Sequence, residues 1–137
     1  MFDEIMIPED RFYPQVGYDA RVRLKIRLPW YRLFPLSCVK DIALTIDGNA
    51  MPRQSLSLGL YGQAHTLDQL ADLHDVQWFI LDAANLLVDC DRRLGQGQHR
   101  VEMKMTLRIP YSDNMAFEFT EVAHCTKTLA LTAEDGV

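Results

Sequence analysis

Two segments of this chain, residues 20–31 and 101–111, alternate apolar and charged side chains over most of their length. Because successive side chains of a strand point to opposite faces, each segment would place its apolar residues on one face. Both segments end in Arg, an aliphatic residue, Pro and an aromatic residue, and proline closes a strand because it cannot donate to the ladder. The pattern predicts antiparallel β-sheet with aromatic rings at two strand ends. The apolar faces are Val22, Leu24, Ile26 and Leu28 in the first segment, and Val101, Met103, Met105, Leu107 and Ile109 in the second.

Shorter alternating runs between turn residues predict further strands. The clearest is at residues 42–46, where Ile, Leu and Ile alternate with Ala and Thr. The Asp-Gly-Asn sequence that follows, residues 47–49, tolerates the left-handed backbone that a tight hairpin needs. The remaining strands are expected near residues 50–52, 56–60, 76–80, 86–88 and 116–131.

The expected architecture is all-β with one short helix. A capping box at residues 66–69, followed by leucines at helical spacing, predicts a helix over residues 67–73. About seven to eight short strands roughly 10 residues apart are typical of a sandwich or a barrel, and of these two we expect the sandwich. We therefore expect one antiparallel β-sandwich domain over residues 1–137. It would begin with an irregular arm at about 1–15, with a short edge strand at residues 4–7, and end in a polar tail at about 132–137.

Composition and charge exclude several classes of function. The net charge of −5 provides no overall basic surface for nucleic acid. No apolar stretch approaches the roughly 20 residues that span a bilayer, and the amino terminus lacks the cationic and apolar regions of an export signal. Cys38, Cys90 and Cys125 include no close pair, so free thiols are expected. We therefore expect a cytoplasmic protein that binds neither nucleic acid nor membrane.

No self-contained active site is evident in the sequence. It contains no nucleophile elbow, phosphate-binding loop or paired-carboxylate motif, and the Gly-Leu-Tyr-Gly sequence at 59–62 is too loose for a nucleotide loop. The histidines, His65, His74, His99 and His124, do not have the spacing of metal ligands. His99, at the entry to a strand, is expected to pack on a turn. We predict no catalytic, cofactor-binding or metal-binding residue in this chain.

A row of cations occupies the polar face of the first segment: Arg21, Arg23, Lys25 and Arg27. Same-face neighbours about 6.6 Å apart repel by roughly 0.6 kcal/mol in water, before screening by salt. Two interpretations stay open. The row is a solvated face opposite acidic neighbours such as Glu102, Glu118 or Glu121 on adjacent strands, or it binds an acidic patch on another protein.

The aromatic and proline residues at the two strand ends are candidates for a partner interface. Trp, Tyr and Arg dominate interface hot spots, although a loop that caps the core would use the same residues. If both strands end on the same side, residues 29–36 and 110–117 form one apolar patch, which we name the aromatic rim, larger than monomers usually expose. The predicted interface residues are Pro29, Trp30, Tyr31, Arg32, Leu33, Phe34, Pro35, Leu36, Pro110, Tyr111, Met115 and Phe117.

Several short motifs are spread over residues 17–131. They are Arg27-Leu28-Pro29-Trp30-Tyr31-Arg32, Pro35-Leu36-Ser37, Ile46-Asp47-Gly48, Thr66-Leu67-Asp68-Gln69-Leu70, Trp78, Gly97-Gln98-His99-Arg100-Val101 and Arg108-Ile109-Pro110-Tyr111. Their specificity lies in their order and spacing. Together these motifs resemble those of a known family, the small (beta) subunit of bacterial C-glycoside deglycosidases.

The resemblance implies a heteromeric carbon–carbon lyase. In that family a TIM-barrel alpha subunit carries the catalytic groups and a divalent metal, expected to be manganese, and binds most of the substrate. The substrate is a 3-oxo-C-glucoside of an aromatic aglycone, such as a flavonoid. Its 3-keto group acidifies the proton at C2, a base removes that proton, and the aglycone leaves from C1 by elimination. The resemblance assigns no catalytic or metal-binding position to the small subunit.

Two further hypotheses come from other classes of function. A free-standing carbohydrate- or ligand-binding β-sandwich would stack sugar faces on exposed rings such as Trp30 and Tyr111. A small enzyme would use a histidine such as His65 or His74. Docking of the aromatic rim on the large subunit, near its active-site mouth, is the expectation that follows from the resemblance.

Overall fold

The fold is mostly β-strand. A computed structural model of the chain describes residues 6–9, 11–14, 20–28, 34–79, 82–90, 94–109 and 119–131. The described elements are β1 (Arg11–Pro14), β2 (Arg21–Ile26), β3 (Phe34–Pro35), β4 (Val39–Ile46), β5 (Asn49–Ala50), β6 (Leu56–Leu60), β7 (Gln63–Thr66), α1 (Leu67–Leu70), β8 (Gln77–Trp78), β9 (Ala84–Asp89), β10 (Gly97–Ile109) and β11 (Phe119–Leu131).

Nine of these strands form one continuous sheet in the order β5-β4-β10-β11-β1-β2-β9-β6-β7, and β3 pairs with β8 in a separate ribbon. The sheet is mixed, because β1 runs parallel to β11 and antiparallel to β2. β1 therefore joins two antiparallel halves. Buried side chains of both halves belong to a single hydrophobic cluster, so the sheet curls around its own core as a half-barrel.

The alternation in the sequence correctly identified the core faces of the two patterned segments. The four apolar residues of the first segment are at most 5% exposed, and Val101, Met103, Met105 and Leu107 are at most 2% exposed. The side chain of Ile109, the fifth residue of the second face, lies outside the description. At roughly 25 cal/mol per Å² of apolar surface, complete burial of each such side chain contributes about 1.5–3 kcal/mol against chain entropy. The alternation thus fixes which face of the sheet turns inward.

The expected antiparallel sandwich of seven to eight short strands is wrong in its details. Eleven strands are described, β10 and β11 have 13 residues each, and the main sheet is single and mixed. Alternation shows which residues face the core, but the number of sheets depends on which strands pair. β1, only four residues long and ended by Pro14, gave no alternation signal although it connects the two halves.

The ends of the chain also differ from expectation. The supposedly irregular arm contains β1, and Met6 and Ile7 are buried in the core, where the Met6 carbonyl accepts a hydrogen bond from the Arg27 amide. The edge strand expected near residues 4–7 is a bend at the two described positions, 6 and 7. The expected polar tail, residues 132–137, lies outside the described residues.

The helix α1 is shorter than the expected helix over 67–73, with a single turn. The predicted capping box is present, and the Thr66 amide donates to Oε1 of Gln69 at 2.9 Å. After Leu70 the chain turns. The Ser37 amide donates a hydrogen bond to the Leu73 carbonyl, and this bond holds the segment that leads to β8. No helix in the described part of the chain is long and apolar enough to cross a membrane.

Candidate partner interface

The two strands that end in the matched Arg-aliphatic-Pro-aromatic sequence, β2 and β10, run in the same direction. β10 is antiparallel to β11, β11 is parallel to β1, and β1 is antiparallel to β2. Both strands therefore end toward the same side of the curled sheet. This is the condition under which residues 29–36 and 110–117 were predicted to form one aromatic rim.

The β3–β8 ribbon connects the two halves of the sheet on that side. Phe34 of β3 pairs through its backbone with Trp78 of β8. In the next turn the Leu36 amide donates to the Val76 carbonyl at 2.8 Å, and Arg108 of β10 donates to the Sγ of Cys38 at 3.4 Å. The end of β10 is thereby linked to the segment that contains Trp78.

Most predicted interface residues lie outside the described residues: Pro29, Trp30, Tyr31, Arg32, Leu33, Pro110, Tyr111, Met115 and Phe117. Phe34 is described in its backbone alone, and Pro35 is half-buried. Leu36 is 0% exposed and belongs to the hydrophobic core, so it is not part of an exposed rim. The prediction failed for Leu36 because this residue begins the buried turn that leads into β4. An apolar run in a sequence does not distinguish core residues from interface residues.

A tight turn between β6 and β7 places an aromatic residue on the same side. Tyr61 and Gly62 form the two-residue loop, both with positive φ (52° and 81°). The hairpin of Asp47 and Gly48 has nearly the same values, 52° and 82°. Aspartate tolerates this left-handed conformation, whereas for a bulky residue such as tyrosine it costs on the order of 1–2 kcal/mol. Tyr61 therefore keeps a strained backbone that the usual turn residues would relieve.

The hydroxyl of Tyr61 holds the segment that follows β8. It donates to Oδ2 of Asp82 at 2.5 Å and accepts a hydrogen bond from the Phe79 amide at 3.3 Å. Partial burial, and then the hydrogen bond to the Asp82 carboxylate, raise the pKa of Tyr61 above its ordinary value. The phenol stays protonated at neutral pH and keeps its donor for Asp82.

A buried tryptophan fixes the same segment from inside. Trp78 is 0% exposed, and its indole Nε1 donates to the Asp82 carbonyl at 2.8 Å. The Asp82 amide in turn donates to the Phe79 carbonyl at 3.0 Å. Buried Trp N–H groups need such a partner, so the indole and the turn stabilise each other.

Tyr61 and Phe79 therefore form an exposed pair of aromatic rings on backbone that is held by hydrogen bonds. Tyr61 is 54% exposed and Phe79 is 51% exposed, and the third large apolar residue exposed among those described is Val122, at 41%. We name Tyr61, Trp78, Phe79 and Asp82 the Tyr61–Phe79 cluster. Sequence reasoning missed the cluster, although a Tyr-Gly pair directly after an alternating run was a hairpin signal.

The cation row is a paired face. Arg21 binds Asp89 directly opposite on β9, with Nε–Oδ1 at 2.6 Å, and Lys25 lies 3.2 Å from Glu9. The guanidinium of Arg23 stacks over the ring of Tyr13, 4.9 Å from its centroid. These contacts favour the solvated-face interpretation for Arg21, Arg23 and Lys25. The acidic partners shown, Asp89 and Glu9, were not among those predicted, because β2 lies beside β1 and β9. Glu118 lies outside the described residues.

The other end of the sheet is closed by a histidine. Both nitrogens of His99 contact acceptors, Oδ2 of Asp47 at 2.5 Å and the Gly95 carbonyl at 2.6 Å, while its ring packs edge-on against Phe12. Partial burial disfavours the charged ring, but the hydrogen bonds to Asp47 and Gly95 outweigh it and raise the pKa of His99. His99 packs on a turn, as predicted. Nearby, an open recess of about 710 Å³ is lined by residues that include Asp47, Cys90 and Leu94.

The remaining chemistry-bearing residues are dispersed. His65 is half-buried on β7, His74 is exposed after α1, and His124 is exposed on β11. Among the described residues no group of three His, Cys, Asp or Glu side chains is arranged to hold a metal ion. Cys38, Cys90 and Cys125, which all lie in the described part of the chain, are not joined by disulfide bonds. Fold and geometry thus define a mostly-β protein with a preformed aromatic surface at one side of its sheet.

Comparisons with known proteins give this class a family. A sequence profile described as "C-glycoside deglycosidase beta subunit" matches residues 2–111. A protein of that name from Microbacterium trichothecenolyticum is 38% identical over 117 residues, 82% of this chain and 86% of its own length. Another, from Arthrobacter globiformis, is 35% identical over 113 residues, 81% of this chain and 85% of its own. A "3'-dehydrocarminate deglycosidase beta subunit" from a Microbacterium species is 32% identical over 81% of each chain.

This chain belongs to the C-glycoside deglycosidase beta subunit family. The resemblance found in the sequence motifs is thereby confirmed. A beta subunit implies a partner subunit, so this chain is one part of a deglycosidase.

Proposed function

We propose that this chain is the non-catalytic small subunit of a heteromeric carbon–carbon lyase. The complex would cleave 3-oxo-C-glucosides of aromatic aglycones in the cytoplasm. A TIM-barrel alpha subunit would carry the catalytic groups, and the small subunit would stabilise or complete its active site. Family membership over residues 2–111 is the observation that carries the proposal.

The proposed reaction is an elimination across C1 and C2 of the sugar. The 3-keto group acidifies the C2–H bond, and a general base takes that proton. The electron pair forms the C1–C2 double bond, while the C1–aglycone bond breaks and its electron pair, with a proton, goes to the aglycone carbon. A divalent metal of the alpha subunit would supply Lewis-acid stabilisation of the developing negative charge.

Two observations support this proposal. One relative is named for a 3'-dehydro substrate, which fits a sugar oxidised at position 3. In this chain the exposed rings of Tyr61 and Phe79 are mounted on hydrogen-bonded turns. Such preorganised aromatics suit a permanent protein contact because little side-chain or backbone freedom is lost on binding.

The test compares three samples: this chain alone, the alpha subunit alone, and the two produced together. Release of the aglycone from a 3-oxo-C-glucoside is followed by chromatography. We expect cleavage from the co-produced complex and none from this chain alone. Cleavage by this chain alone would refute the non-catalytic role, and failure to co-purify with the alpha subunit would refute the subunit role.

The alternative of a free-standing sugar-binding module relied on Trp30 and Tyr111, which lie outside the described residues. Membership in a family of beta subunits favours the subunit over that alternative. The small-enzyme hypothesis relied on His65 or His74, and these histidines lie on β7 and after α1 respectively. Fluorescence titration of the isolated chain with glycosides tests the module hypothesis directly.

A further inference from the structure

We propose that Phe79 is the central anchor of the contact with the alpha subunit and that Tyr61 is the residue that positions it. This inference rests on the proposed function and specifies its interface. It concerns a surface other than the predicted aromatic rim, with residues that the sequence motifs did not single out.

The exposure of Phe79 supports its role as an anchor. Half of this side chain is in water, although the residue directly before it, Trp78, is completely buried. Phe79 directly follows β8, and its side chain lies outside the core that the Trp78 side chain enters. An outward position alone would suit a polar residue, and the large ring there is unexplained by the fold of this chain.

The backbone of Phe79 is held by several hydrogen bonds. Its amide donates to the Tyr61 hydroxyl and its carbonyl accepts from the Asp82 amide. The Asp82 carboxylate is held by Tyr61, and the Asp82 carbonyl is held by the indole of Trp78. An exposed ring on such a fixed backbone loses little entropy when a partner covers it.

The backbone strain at Tyr61 supports its role in positioning Phe79. A left-handed φ of 52° at tyrosine is unfavourable, and Asp47 shows that this chain uses aspartate in an equivalent turn. What tyrosine provides is a long side chain whose hydroxyl reaches Asp82 and the Phe79 amide. Retained strain is characteristic of positions that serve function.

The occupant of this surface is inferred from the family and from the place of the cluster. Trp78 pairs through its backbone with Phe34 of β3, which lies within the predicted rim residues 29–36. The cluster therefore adjoins the described end of that rim, and membership in a family of beta subunits implies a partner subunit to cover it. Aromatic residues near the centre of an interface are those that dominate its binding energy.

The test uses the complex of full-length subunits, co-purified and diluted in a mass-photometry series to obtain Kd. We expect Phe79→Ala to raise Kd about 30-fold or more. The matched control is Val122→Ala, which truncates another large apolar residue that is exposed among those described, on the outer face of β11, and should leave Kd within about twofold. Circular dichroism of each isolated variant checks that the fold is retained.

Tyr61→Phe separates positioning from direct contact, because it keeps the ring and removes the hydroxyl. It should raise Kd by about three- to tenfold in the native background and have no further effect in Phe79→Ala, the signature of two residues that act as a unit. Additive effects would refute the positioning role. An unchanged Kd for Phe79→Ala, with a folded variant and a stable native complex, would refute the anchor and leave the proposed function standing. Absence of any native complex would instead refute the proposed function itself.

Discussion

The hydrogen bond between His99 and Asp47 makes the stability of this protein depend on pH. A carboxylate oxygen and a carbonyl oxygen can only accept, so His99 can donate to both at once only when both of its ring nitrogens carry hydrogen. The two contacts therefore favour the charged form of His99, whose side chain is only 11% exposed. Asp47→Asn is the most informative change. Asparagine tolerates the positive φ and keeps an oxygen for the Arg100 amide, and the negative charge is removed.

The expected loss is moderate. A hydrogen bond to a charged group contributes about 1.5–3 kcal/mol, and a partly exposed pair contributes less. Because the Asp47 side chain is 44% exposed, we expect Asp47→Asn to lower the free energy of unfolding by about 1–2 kcal/mol near pH 6. For a chain of this size that corresponds to a fall in Tm of about 3–8 °C.

The sign of the pH dependence follows from the two pKa shifts. The pKa of His99 is raised above 6.5, so the stabilisation is fully present below about pH 6.5 and is lost as the pH rises through the folded-state pKa. The pKa of Asp47 is held below its ordinary value by the hydrogen bond from His99 and then by the Arg100 amide. Its contribution is present above about pH 3.8 and is lost as the pH falls through the lowered pKa.

The assay is urea unfolding of the native chain and Asp47→Asn from pH 5.5 to pH 9. We expect the difference in free energy of unfolding to be largest at the acid end of this range and to shrink as His99 loses its proton. Asp72→Asn, the same chemical change at an exposed turn after α1, is the control and should give a small, pH-independent difference. A difference for Asp47→Asn that is constant or grows with pH would refute the imidazolium assignment.

Three further predictions address the core, the surface and the rim. Leu58→Ala, at a fully buried position of β6, should lower the free energy of unfolding by about 2–5 kcal/mol in urea, and a loss below about 1 kcal/mol would contradict the assigned core. Arg53→Ala removes ion pairs to Asp41 and Asp68 on exposed side chains and should cost less than about 1 kcal/mol, decreasing with salt. Trp30→Ala should weaken association with the alpha subunit by about 2 kcal/mol or more while the isolated chain stays folded. If that variant melts alone but assembles normally, Trp30 belongs to the core.

The sequence could predict which face of each strand is buried, because that property is local. Met103 and Met105 alternate with Glu102 and Lys104, and the pleat alone sends the first pair inward. The hairpin at Asp47 and the capping box before α1 were predictable for the same reason. Each depends on residues within a few positions of one another.

Pairing between distant segments was not predictable in this way. The parallel contact of Arg11 with Ala130 joins residues far apart in the chain, and nothing in either segment encodes a parallel register. The same limit explains why Asp89 was not predicted as a partner of the cation row. Arg21 forms its ion pair with Asp89 because β2 lies beside β9. The alternation of side chains does not show which strands are neighbours.

The two tight turns show how one backbone geometry serves different ends. In each, the first loop residue has φ of 52°, glycine follows, and the side chain of the first residue bonds to a distant segment. Asp47 does so at little conformational cost and binds His99, whose ring packs against Phe12 of the core. Tyr61 does so with strain and fixes the backbone of an exposed phenylalanine. Since the fold needs only the turn, which aspartate would form with less strain, the tyrosine is best explained by what it holds at the surface.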